Sequence, residues 1–211
     1  MCRRLWEWHS RGQPCEELLG LGKATEHGVT YTSVVDHTPD PDPDKGVGRG
    51  WGTFFGAQCD TREQVESRMQ ELGYTWEWLN EKGTLRTTTP VLKAVRNAPG
   101  SGRDVFFNQI PAMIANAKEF VKGRGGDPSL DNFCRAGDGS SLSMEAVLYA
   151  KEQSEATAVE VEWLPSDVCL LDNFAVMHAR RRFEGNRRRL LASLVRDTSR
   201  TTTGAGARSR L

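Results

Sequence analysis

Apolar and polar positions along the chain predict short elements, each bounded by turn-forming residues. Residues 14–27 predict a short helix weakened by its glycines, and the β-branched run VTYTSVV, residues 29–35, predicts a strand. Residues 36–50 alternate proline with acidic side chains and end in glycines, which predicts an exposed loop. The predicted fold therefore opens with a helix, a strand and a loop.

The clearest helical pattern lies at residues 60–73. Asp60 is the predicted N-cap, Glu63 follows three residues later, and Gly73 is the predicted stop. The apolar residues that share one face of this helix are Val65, Met69 and Leu72. A second amphipathic helix is predicted over residues 143–156, with Ser143 as its cap.

Between these helices the pattern changes to short β-rich runs separated by turns. We expect antiparallel strands at residues 74–79, 84–95 and 104–109, because turn-forming NEKG and NAPGSG stretches lie between them. Residues 111–122 predict a helix, and residues 123–140 predict a glycine-rich loop.

The last third of the chain returns to β-type patterns. The predicted strands are residues 158–163, 167–172, 174–179 and 188–195. Together with the earlier elements they predict one domain that is mostly β with inserted helices, a jelly roll or barrel. We predict that this domain spans residues 14–197, that residues 1–13 are poorly ordered and that residues 198–211 form a disordered tail.

Composition narrows the function classes. Lys+Arg and Asp+Glu both number 28, so the chain lacks the basic excess of a general nucleic-acid binder. The 5 cysteines are odd in number and form no C-x-x-C pair, which argues against a disulfide framework and a zinc site. No stretch approaches the roughly 20 apolar residues of a membrane span. We predict a cytoplasmic protein, with peroxisomal import through Ser209-Arg210-Leu211 as the alternative.

The candidate chemistry lies in residues 170–195. His178 ends a predicted strand on whose inner face Phe174 and Val176 also lie, so its imidazole is either a hydrogen-bonded core residue or a metal ligand. Arg189 opens the next predicted strand, which a loop of about nine residues would return beside His178. A buried guanidinium needs an anion, and its planar fork matches a carboxylate. Together His178 and Arg189 predict a pocket that holds a metal and a small carboxylate.

The stretch SDVCLLDNFAVMHARRRFEGNRRRLLASL resembles the iron(II)- and 2-oxoglutarate-dependent dioxygenases of the taurine dioxygenase type, including the clavaminate synthase-like proteins. Pieces such as HGVTYTSVV, GRGWGTFFG and DVFFNQ agree in order, so the resemblance spans residues 16–195. It implies an oxidoreductase for a small organic substrate, with iron(II) as cofactor and 2-oxoglutarate as co-substrate. It also implies that His178 is an iron ligand, that Arg189 binds the far carboxylate of 2-oxoglutarate and that Asn108 lies near the active-site mouth. The alternative for Asn108 is an amide that closes a strand-end turn.

The family's iron site takes its other two ligands from a His-x-Asp or His-x-Glu pair, which this sequence lacks. The resemblance therefore implies the C-terminal portion of such an enzyme, a partial double-stranded β-helix without its N-terminal metal strands. Two hypotheses follow, a truncated oxygenase or a catalytically inactive fragment. Neither the primary substrate nor the oligomeric state follows from the sequence.

Overall fold

A computed structural model describes most of the chain between residues 21 and 179. Residues 1–20 and 196–211, which include the predicted terminal segments, lie outside the described residues. Residues 39–49 of the predicted loop 36–50 lie outside them as well. The described residues are 21–38, 50–54, 59–98, 102, 104–113, 129–174, 176–179, 193 and 195.

Antiparallel strands and a few helices make up the described fold. The strands are β1 Val29–Val35, β2 Thr75–Trp78, β3 Leu85–Thr88, β4 Val95–Asn97, β5 Asp104–Phe106 and β6 Cys134–Ala136. The helices are α1 Gly22–His27, α2 Trp51–Phe54, α3 Arg62–Leu72 and α4 Met144–Ala156, with a 3₁₀ turn at Leu130–Asn132. Strand β1 matches its predicted bounds. Strands β2 and β5 are shorter than predicted, and the predicted strand 84–95 is divided into β3 and the start of β4. None of the described helices is long and apolar enough to cross a bilayer.

Strand β1 organises the larger sheet, whose strand order is β2-β3-β1-β6. Its second half pairs with β3, with Val35 opposite Leu85, and its first half pairs with β6, with Tyr31 opposite Cys134. Strands β4 and β5 form a separate two-stranded sheet. A bridge between Val29 and Leu92 joins β1 to the segment that precedes β4.

Local side chains fix the two long helices. Helix α3 is capped by Thr61, whose side chain accepts a hydrogen bond from the Gln64 N–H at 3.3 Å while the Gln64 side chain accepts from the Thr61 N–H at 3.2 Å. The predicted cap, Asp60, was therefore wrong by one residue, because the reciprocal box needs Thr61 and Gln64 three positions apart. Gly73 ends the helix in the left-handed conformation, and Ser143 caps α4, both as predicted.

Two hydrophobic cores stabilise the described structure. The first contains residues from α1, β1, β6 and α4, among them Ala24, Val29, Cys134 and Val147. The second lies under α3, and its members are Val35, Trp51, Cys59, Val65, Met69 and Leu85. The Trp51 indole N–H donates to the Gly83 carbonyl at 2.9 Å, which satisfies the polar atom of this buried ring.

Several predicted strands near the C-terminus are wrong. Residues 158–163, 167–172 and 174–179 carry no strand in their described parts, and strand 188–195 falls almost wholly outside the described residues. The apolar alternation is present, yet Val159, Val161 and Trp163 are all exposed. A period-two pattern becomes a strand only when another strand supplies backbone hydrogen bonds. Among the described residues, none of these segments belongs to either sheet.

The predicted glycine-rich loop at residues 123–140 is wrong in part, because it contains β6. This strand is only Cys-Arg-Ala, without the β-branched residues that mark strands in a sequence. Pairing with β1 makes it a strand. The predicted helix at residues 111–122 begins as a helical turn at residues 110–113, and its remainder lies outside the described residues.

Candidate active site

Asn108 lies in the turn that follows β5. Its Nδ2 donates to the Ala94 carbonyl at 3.0 Å, and its Oδ1 accepts from the Ile110 N–H at 3.0 Å. The Phe107 N–H donates to the same Ala94 carbonyl, also at 3.0 Å. The amide thus closes the strand-end turn, which is one of the two roles expected from the sequence.

Tyr31 fastens this turn to β1. Its hydroxyl accepts a hydrogen bond from the Gln109 N–H at 2.9 Å. Burial raises the pKa of Tyr31 well above its ordinary value, and the hydrogen bond from Gln109 offsets only part of that effect. Tyr31 therefore stays neutral at physiological pH and holds the turn by hydrogen bonding without adding a charge.

An aromatic contact joins the Asn108 turn to the segment that carries His178. The rings of Phe107 and Phe174 stack with centroids 5.1 Å apart and an interplanar angle of 22°. Asp172 shapes this segment, because its Oδ1 accepts from the Phe174 N–H at 3.0 Å and its carbonyl accepts from the Val176 N–H at 3.1 Å. Two separate stretches of sequence, each with a candidate site residue, are thereby held side by side.

His178 itself is exposed and lies in a segment without helix or strand. The predicted strand that would turn its ring toward a barrel interior is therefore wrong. Its role as a metal ligand stays a prediction. Arg189 lies outside the described residues, so the shared pocket with His178 also stays a prediction.

Comparison with known proteins gives these residues a family context. Residues 37–194 match the family described as taurine catabolism dioxygenase TauD, TfdA family. The chain belongs to the TauD/TfdA family. The matched region includes Asn108, His178 and Arg189.

Two proteins are similar to this chain over most of its length. A clavaminate synthase-like protein of Arabidopsis thaliana is 33% identical over 171 residues, which is 81% of this chain and 48% of the relative. The dapdiamide synthesis protein DdaC of Enterobacter agglomerans is 26% identical over 149 residues, 68% of this chain and 44% of the relative. The chain thus spans about half the length of these relatives.

The described residues do not complete a TauD/TfdA iron site. They contain no group of three or more His, Cys, Asp or Glu side chains arranged to hold a metal. The Nε2 atom of His27 lies 3.7 Å from a carboxylate oxygen of Glu26 and of Asp138, and His37 packs edge-on against Trp51. His178 is one candidate ligand, and a face of three is needed.

Arg96, on β4, is the side chain at this site that sequence reasoning missed. Its guanidinium carbon lies 5.1 Å from the centre of the Phe107 ring, so it belongs to the same aromatic cluster as Phe174. The predicted strand stopped at residue 95, one residue short of Arg96. An arginine two residues from Ala94, in an alternating apolar run, was the available signal.

Proposed function

We propose that this chain acts as an iron(II)- and 2-oxoglutarate-dependent oxygenase on a small organic substrate, with the double-stranded β-helix of its family. The family match over residues 37–194 carries the proposal, because it includes both His178 and Arg189. The proposed cofactors are iron(II) and 2-oxoglutarate, which in this family supply the oxidising chemistry.

Each of the two residues has a defined part in the proposal. A neutral imidazole at His178 is a good ligand for iron(II), and its position in an exposed segment leaves the ring accessible. Arg189 would bind the far carboxylate of 2-oxoglutarate through two parallel hydrogen bonds. Phe107 and Phe174 would hold the His178 segment against the Asn108 turn.

A second candidate function is that of a catalytically inactive member of the family. The observation that favours it is the lack of a His-x-Asp or His-x-Glu pair in the sequence. In the described residues no other cluster replaces those ligands. Under this alternative the chain would keep the family fold without binding iron.

An anaerobic titration of the full chain with iron(II) and 2-oxoglutarate separates these functions. We expect a visible charge-transfer band and a rise in melting temperature, because binding to the folded state stabilises it. The band should vanish in His178→Ala and persist in His27→Ala, which removes an imidazole that lies in α1. Arg189→Gln should weaken 2-oxoglutarate about 10- to 100-fold while iron still binds.

The opposite result is equally informative. If the wild-type chain gives neither band nor thermal shift, the oxygenase proposal fails for this chain and the inactive member is favoured. A band that survives in His178→Ala would place the iron elsewhere. A cytoplasmic location, or peroxisomal import through Ser209-Arg210-Leu211, stays a prediction.

A further inference from the structure

Arg96 lies on the inner face of the β4–β5 sheet. It pairs with Val105 across the two strands, and residues opposite each other in such a pair share a face. Phe107, two residues past Val105, is hydrogen bonded to Ala94 and so shares that face. Ala94 and Val105 are both buried, so a permanently charged side chain emerges among apolar neighbours.

The guanidinium of Arg96 lacks a counter-charge within the described structure. The side chain is half-buried, its Nε is buried without a hydrogen-bond partner among the described residues, and its guanidinium lies over the Phe107 ring. Burying a charged donor without a partner is costly. The position therefore favours an anion from outside the described residues.

The other arginines in the described ranges show how this protein treats the same side chain elsewhere. Arg68, Arg86 and Arg135 each form an ion pair with a carboxylate, at 2.8, 2.6 and 3.0 Å. Arg62 also lies over an aromatic ring, that of Trp78 at 4.5 Å, yet its Nη2 donates to two backbone carbonyls. Among these arginines Arg96 stands apart because it has the ring without an acceptor.

We propose that Arg96 binds the carboxylate of a small-molecule ligand whose apolar part lies against Phe107 and Phe174. The guanidinium fork matches a carboxylate in two parallel hydrogen bonds, and the Phe107 ring restricts the plane of that fork.

The identification of this ligand as the primary substrate rests on the proposed oxygenase function, whereas carboxylate binding at Arg96 does not. Arg189 is already assigned to 2-oxoglutarate, so Arg96 would serve a second carboxylate. The substrate class is then a small carboxylic acid with an apolar or aromatic body.

The experiment uses benzoate as the probe and benzamide as its uncharged match. Calorimetric titration of the full chain should show saturable benzoate binding and none for benzamide. Arg96→Gln should weaken benzoate at least about tenfold, the loss expected for a charge-assisted hydrogen bond. Arg62→Gln is the control, because it removes an arginine that also stacks on a ring, and it should bind benzoate like the wild type.

A second measurement does not depend on the folding of Arg96→Gln. The Arg96 Nε–H resonance, assigned by its loss in Arg96→Lys, should shift as benzoate is added to the wild-type chain. The proposal is overturned if the wild-type protein neither binds benzoate nor shows this shift. That result is expected when an acceptor within the protein already occupies the guanidinium. Equal binding by Arg96→Gln, or equal binding of benzamide, overturns it as well.

The iron titration keeps the two proposals apart. Benzoate binding that depends on Arg96, without any iron band, would leave the carboxylate site standing and remove the oxygenase. An iron band that depends on His178, without benzoate binding at Arg96, would remove only the carboxylate site.

Discussion

Cys134 shows how one buried side chain makes stability depend on pH. It lies on β6 in the first core, with 1% of its surface exposed. Burial, aided by the negative charge of Asp131, raises the pKa of its thiol to about 12. Folding therefore favours the neutral thiol.

We predict that alkaline pH destabilises the protein partly through this thiol. Because the folded pKa is raised, the stabilisation is complete below the ordinary thiol value of 9.0 and is lost as pH rises toward about 12. The free energy of unfolding should fall by at most about 1.4 kcal/mol per pH unit for this one group.

Urea denaturation from pH 7 upward measures this slope, which should be shallower in Cys134→Ala. The control is Val147→Ala, which removes volume from the same core without a titratable group and should lower stability about equally at every pH. An unchanged slope in Cys134→Ala would contradict the prediction.

Individual site residues differ in how far sequence could predict them. The turn role of Asn108 was foreseen as an alternative, because it depends on neighbours within 14 positions. The isolation of Arg96 could not be foreseen, since a sequence shows that a charge sits in a strand but not whether a distant carboxylate reaches it. The exposure of His178 was missed for a similar reason, because it depends on what packs around its segment.

At the level of elements, the ends of helices were the most predictable features. Gly73 and Ser143 act through hydrogen bonds to groups within a few residues, so both were predicted, and the cap of α3 was missed by one residue, at Thr61. Strand β6 was missed because Cys134 pairs with Tyr31, more than 100 positions away. Short strands take their stability from such partners and show little pattern of their own.

The Phe107–Phe174 stack should control the order of the His178 segment. Aromatic pairs contribute about 0.5–1.5 kcal/mol beyond their buried area, so Phe174→Ala should raise local opening about two- to tenfold. Hydrogen exchange at the backbone amides of residues 174 and 176, which donate hydrogen bonds to Asp172, measures this opening.

Trp163→Ala is the matched control for this change. Trp163 is 40% exposed and Phe174 is 39% exposed, but Trp163 lies outside the stack. Its removal should leave exchange at Phe174 and Val176 unaltered. Equal acceleration by both substitutions would mean that the stack does not order the segment.

On the scale of the whole molecule, apolar side chains differ widely in their solvent exposure. The members of the two cores are at most 9% exposed, whereas Val168 and Leu170 are 94% and 87% exposed. Exposed apolar patches mark sites of association. The sequence predicted strands here, and it could not show whether a neighbouring strand would pair with them.

We predict that Val168→Ser with Leu170→Ser leaves the free energy of unfolding within about 0.5 kcal/mol of wild type, because few contacts are lost. Self-association at high concentration, followed by light scattering, should decrease. The control, Val65→Ser in the second core, should cost several times more. A loss above about 2 kcal/mol in the double variant would show that the segment is packed in solution.

The split pairing of β1 has a consequence for how the molecule comes apart. Val29 belongs to the first core and Val35 to the second, and an even spacing of six places both on one face of the strand. A slip of β1 by one residue would turn both valines outward together. Loss of β1 would remove a member from both cores, so we expect the two cores to unfold in a single cooperative transition.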